Sequence, residues 1–112
     1  PVLAHEELTS TAPAASSAEV RARVVLARAS QAERQGMLNA RLDSRAVERY
    51  CVPDRAGAGL LQQAMTRLDL SARAYHRILR VARTLADMAG VAQPGVAQVA
   101  EAIQYRRSLD SR

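Results

Sequence analysis

The stretch SARAYHRILRVARTLADMAG, residues 71–90, constrains this chain more than any other. Tyr75, Ile78, Leu79, Ala82, Leu85, Ala86 and Ala89 recur at helical spacing, a pattern that an extended strand would split between two faces. Ser71 is a fitting N-cap and Gly90 a fitting stop. A helix so one-sided needs other elements to cover its stripe.

The rest of the sequence supplies helices for that purpose. Ser16 and Glu19 form a capping box, after which Val20, Val24 and Ala27, broadened by Val25, Leu26 and Ala29, predict a helix that buries one side and stops at Gly36. MLNARLDS (37–44) reads as a turn or irregular connection, with Asp43 or Ser44 as the next N-cap. A short helix, SRAVERYC, is closed by Val52-Pro53. Pro53 and Asp54 start another to about Arg67, with Leu60, Leu61, Ala64, Met65 and Leu68 inward. Gly57 and Gly59 are expected to loosen its first turns by about 1 kcal/mol each relative to Ala. The last helix has Pro94 at its first position and Val96, Val99, Ala100 and Ile103 in register.

Residues 1–15, small, polar and proline-containing, read as a disordered linker, which leaves 16–112 as the domain. At 112 residues there is room for one core, and it contains no Phe or Trp and much Ala. The expected fold is all-α, a single small bundle of about five helices.

Autonomous catalysis finds little support. There is no P-loop pattern, no metal-ligand spacing and no close Ser/His/Asp arrangement. Cys51 falls near a predicted helix end with Arg49 and Arg55 nearby and reads as a small half-buried side chain, and with only His5 and His76 beside it no zinc site can be assembled. The lone cysteine fits a reducing cytoplasm and excludes an internal disulfide. No apolar run is long enough for a membrane span, and no signal peptide is visible. The chain begins without Met, so a piece of something longer is expected. Tyr50, Tyr75 and Tyr105 are scattered, and packing is their expected role.

Arginine carries the remaining signal. The net charge is +5 and all 16 basic residues are Arg, which suits a polyanionic partner and equally a coding bias. Arg73, Arg77 and Arg80 form a stripe opposite the apolar face, with Arg83 beside it and Asp87 as the latter's i,i+4 partner. By spacing alone this is a solvated face. Arg73 differs because it lies in the first turn, where free amides and the positive helix end favour an anion.

The strings SSAEVRARV, NARL, LSARAYHRILRVARTLADMAG and VAEAIQYRR, from Ser16 to Arg107, resemble the C-terminal domain of magnesium-chelatase-like AAA+ ATPases, the bacterial ComM and YifB group. The resemblance implies a helical lid following an ATPase module that holds ATP and Mg2+, while the fragment alone binds neither and is no enzyme. It implies a sensor 2 role for Arg73 in ATP hydrolysis, with Ser71 and Arg77 also at the nucleotide and Arg77, Arg80 and Arg83 as candidate phosphate or partner contacts. It further implies a cytoplasmic homo-oligomeric ring, expected to be a hexamer, in which Arg73 acts on its own subunit or a neighbour's. DNA is the expected substrate of the parent, in helicase or branch-migration work, and no membrane is involved. The alternative is a stand-alone basic helical module that binds nucleic acid through Arg77, Arg80, Arg83, Arg106 and Arg107.

Overall fold

A computed structural model describes residues 16–110, with side chains through Arg106; the linker expected at 1–15 and the Arg107 side chain lie outside the described residues. Among the described residues there are five α-helices, α1 (Ser17–Gln35), α2 (Ser44–Tyr50), α3 (Arg55–Leu68), α4 (Ala72–Ala89) and α5 (Val96–Asp110), and a 3-10 turn (Asn39–Arg41) links the first two. No strand occurs among the described residues.

The helix ends follow local chemistry. Ser16 and Glu19 close a reciprocal capping box, and Asp43, Asp54 and Ser71 each accept from the amide three residues on. Gly36 and Gly90 end α1 and α4 in the left-handed region, at φ 79° and 74°. Asp69 ends α3 in the same region at φ 51°, a conformation that a short polar side chain tolerates better than most. Pro94 precedes α5 by two residues instead of opening it: Gly95 is the residue whose carbonyl takes the first helical amide, and the Gln98 side chain returns to the Gly95 amide. The Pro94 carbonyl is thereby free to accept from Asp54 at 2.8 Å and to tie the starts of α3 and α5 together. Gly57 belongs to this junction. A Cβ there would approach the Gly95 backbone and Asp54 to 3.2 Å, so the residue expected to loosen α3 is where two helix starts meet.

The core joins Leu42, Val47, Cys51, Leu61, Ile78, Leu79, Ala82, Val99, Ala102 and Ile103, with α4 running through its middle. The centre of the α4 stripe is packed as its spacing predicted, with Ile78, Leu79, Ala82 and Ala86 buried and Tyr75 and Leu85 half-buried, while Ala89 at its end is exposed. Because α1, α2, the 3-10 turn and α5 all lie against α4, burial extends beyond the apolar stripe to Arg83 and Asp87. Helix α1 departs from expectation. Of its apolar stripe only Ala27 is buried, whereas Val20, Val25 and Leu26 are exposed at 42%, 64% and 67%. The residues that α1 brings inward near its end are polar, Gln31 and Arg34.

These polar groups converge on Asp87. Its carboxylate takes two hydrogen bonds from Arg34 at 3.0 and 3.1 Å and one from the Asn39 side-chain amide at 3.0 Å, and it forms an ion pair with Arg83 at 3.0 Å. Asn39, itself buried, also donates from its side chain to Thr84 and from its backbone amide to the Gln31 side-chain oxygen. Burial alone pushes the Asp87 pKa up, but hydrogen bonds from Arg34 and Asn39 and the charges of Arg83 and Arg34 outweigh it and hold the carboxyl below its usual range.

Asp87→Ala leaves two guanidinium groups facing an emptied site and is expected to cost about 3 kcal/mol or more, read by urea unfolding. Since the folded pKa lies below the unfolded value, the stabilisation is present above the ordinary 3.8 and is lost as pH falls below it through the folded value. Wild type should therefore lose stability across that range more steeply than Asp87→Asn; equal slopes would remove Asp87 as the acid-sensitive group.

Candidate functional site

The arginines of α4 share a helix but not a role. Arg73 and Arg77 are exposed, and among the described residues neither forms an ion pair or a side-chain hydrogen bond. Arg80 is half-buried and aims two donors, at 3.1 and 3.0 Å, at the Leu42 carbonyl, which fastens the end of the 3-10 turn to α4. Arg83, expected among the phosphate or partner contacts, is buried at 5% exposure. It bonds Asp87 and the carbonyls of Val91 and Ala92, and so closes the loop between α4 and α5. Its place on the buried flank of α4 excludes it from the exposed face. Burial pushes its pKa down against the opposing pull of Asp87, and its Nε is left without a partner.

Two recesses border the exposed pair. A groove of about 830 Å³ is lined by Arg73, Arg77, Arg80, Leu85, Glu101 and Tyr105, between α4 and α5. A smaller cleft of about 160 Å³ lies at the start of α4 among Ser71, Arg73, Ala74, Arg77 and Arg106. Ser71 caps the helix through the Ala74 amide at 3.1 Å, so its hydroxyl serves the backbone while Arg73 projects from the first turn. The arrangement concentrates positive charge at the positive end of a helix, from side chains on two helices. Chemically it suits an anion with several oxygens, such as a phosphate.

Arg106 and Tyr105 are the contributions that spacing along α4 could not supply. Tyr105, expected to pack, is 54% exposed at the groove and borders the same arginines. Only the crossing of α5 over α4 places them there. Tyr75 does pack, against the core, and the Arg49 guanidinium lies 5.2 Å from the Tyr50 ring. His76, expected at the surface or an interface, has a side chain only 14% exposed and pairs with Glu48 of α2 at 2.8 Å. Cys51 is fully buried, and burial raises its thiol to about 11 against the pull of Arg34, Arg83 and Arg80. A thiol so protonated and enclosed is a packing group. Among the described residues no cluster of His, Cys, Asp or Glu could hold a metal ion, and no helix is long and apolar enough to cross a membrane.

Comparison with known proteins gives a consistent family. The family described as magnesium chelatase, subunit ChlI C-terminal, matches residues 14–106. Competence protein ComM of Haemophilus influenzae is 47% identical over 90 residues, which are 80% of this chain and 18% of that protein. The YifB protein of Salmonella typhimurium is 43% identical over 91 residues, 81% of this chain and 18% of its own length. The Mb2921c protein of Mycobacterium bovis is 39% identical over 103 residues, 88% of this chain and 20% of that one. The chain thus spans about a fifth of the length of these relatives. No solved structure matches it.

The division among the arginines has a direct consequence for stability. Arg73→Ala should leave the thermal midpoint unchanged, whereas Arg83→Ala, which removes one of the partners of Asp87 and the tie to two loop carbonyls while Arg34 and Asn39 still hold the carboxylate, should lower stability by about 2 kcal/mol. Equal effects in a melting series would contradict the assignment. The Cys51 thiol should resist a disulfide reagent at pH 8 until the protein unfolds; prompt labelling of the native protein would show that it is open to solvent.

Proposed function

Since the chain belongs to the magnesium chelatase subunit ChlI C-terminal family, we propose that it is the helical lid of a larger magnesium-chelatase-like AAA+ ATPase and that Arg73 is its sensor 2 arginine. The observation that carries this reading is the state of Arg73: exposed in the first turn of α4, unengaged by any described residue, and flanked by Arg77 and Arg106 at a cleft. An arginine tied into an ion pair would have to surrender that bond before meeting a phosphate. Among the described residues Arg73 has no such bond to surrender.

In this reading the module that precedes the lid holds ATP and its Mg2+, and this chain supplies fixed positive charge. A guanidinium presents two parallel donors to phosphate oxygens, and in a site closed to water such a contact stabilises the charge that builds up as the terminal phosphoryl group leaves. Arg77, one turn on, adds to the field, and Ser71 holds the helix start that aims both. Arg80 braces the 3-10 turn behind them. Because the Asp87 network joins α1, the 3-10 turn and α4, a pull on Arg73 moves the bundle as a unit, and nucleotide state is thereby converted into lid motion.

The remaining expectations belong to the same proposal. The parent assembles as a homo-oligomeric ring, Arg73 meets the nucleotide of its own or a neighbouring subunit, and the ring acts on DNA in the cytoplasm. The similarity to a competence protein supports the last point. The alternative of a stand-alone nucleic-acid-binding module is weakened by Arg80 and Arg83, whose guanidinium groups are committed inside the fold.

The decisive experiment compares ATP turnover by the full-length protein with that of Arg73→Ala, after showing that both assemble and bind ATP. Turnover should fall about 100-fold, as it does when one donor to a developing oxyanion is removed, while nucleotide still binds. Unchanged turnover would reduce Arg73 to a surface charge.

A further inference from the structure

Helix α1 has apolar residues on two sides, and the bundle covers only one. Its inner side, with Ala27, Gln31 and Arg34, faces α4. On the roughly opposite side Ala18, Ala22, Val25, Ala29 and Ala32 follow one another at alternating intervals of four and three residues, with Leu26 beside them. All six are exposed. Spacing of this kind lays a continuous seam along a helix, and small residues in it let a second helix approach closely. Arg21 and Arg28 border one edge of the seam, and Glu33 borders the other.

We infer that this outer face of α1 is the surface on which the preceding module of the same polypeptide docks, through a helix with an apolar seam and carboxylates set against Arg21 and Arg28. The inference rests on the reading of the chain as the lid of a larger ATPase. The relatives are about five times as long as the matched region, and the family's description places that region at the C-terminus, so most of such a protein precedes α1. Ser16, to which any preceding chain is joined, is the N-cap of this same helix, two residues before Ala18. A partner tethered there is presented at an effective concentration in the millimolar range, enough for a seam of modest area to stay closed.

A second copy of the chain fits less well. Antiparallel pairing of two α1 helices sets Arg21 and Arg28 against the same arginines of the other copy. Parallel pairing relieves the charges but stacks alanine on alanine at four of the five seam positions, which buries little apolar surface between free molecules.

The test is thiol labelling of Leu26→Cys, in the 112-residue chain and in the full-length protein, with modification at position 26 read by peptide mass spectrometry. The native Cys51, fully buried, reports unfolding in the same sample. In the short chain the introduced thiol should label rapidly; in the full-length protein it should label at least about tenfold more slowly while Cys51 stays protected in both, since accessibility governs the rate for a fixed thiol. Equal rates would overturn the inference. So would protection that appears in the short chain and grows with its concentration, because the seam would then be a contact between copies. The result is separable from the sensor assignment: a protected thiol at position 26 with unchanged turnover in Arg73→Ala leaves the docking face standing and removes the sensor, and the reverse pair of results does the opposite.

Discussion

The fold depends on a single buried carboxylate. Asp87 gathers Arg34 from α1, Asn39 from the 3-10 turn and Arg83 from its own helix, and Arg83 extends the set to the carbonyls after α4. Taking such charges from water costs several kcal/mol each, and the cost is recovered only when nearly every donor and acceptor is matched. Here the carboxylate receives three hydrogen bonds and an ion pair, and the Nε of Arg83 is the one buried side-chain nitrogen or oxygen among the described residues left without a hydrogen-bond partner. Alanine-rich helices can slide past one another with little change in contact area. A set of directional bonds cannot, so the network fixes which turn of α1 meets which turn of α4.

That constraint sorts the arginines. A helix surrounded on several sides has no simple division into a wet and a dry face, and the guanidinium groups on its flanks either find partners or are excluded. Arg83 finds Asp87 and two carbonyls; Arg80 finds the Leu42 carbonyl. Arg73 and Arg77, at the end of α4 that emerges beside α5, find none among the described residues and keep their donors available. The rigidity of the network and the availability of Arg73 are therefore two results of the same packing. One part of α4 is anchored so that the other can present charge at a defined place.

Local signals were legible where a short stretch of chain decides the outcome alone. The capping box at Ser16, the stops at Gly36 and Gly90, the cap at Ser71 and the centre of the α4 stripe all depend on neighbours within a turn or two, and each appears as its spacing predicts; of the two caps offered for α2 it is Asp43 that serves. The reading failed for α1, whose apolar residues promised a buried side. Spacing reveals that a helix has an apolar side and is silent on whether the partner lies within the same stretch of chain. It failed again at Gly57, where a glycine that weakens an isolated helix admits the backbone of Gly95, a neighbour 38 positions away.

The sequence by itself determined the fold class, the helices and their caps, and the placing of Arg73 in a first turn, because hydrogen bonds and steric limits of the backbone act over a few residues. Tertiary structure alone decided which arginines remain available, that Tyr105 and Arg106 join the α4 cleft and groove, and that Val25 and Leu26 stay uncovered. Those outcomes turn on which groups from distant positions meet across the bundle. The Arg83–Asp87 pair lies within one helix turn and its interval announced it, but the contacts of Arg34 and Asn39 with the same carboxylate join distant positions, and no interval along the chain encodes those.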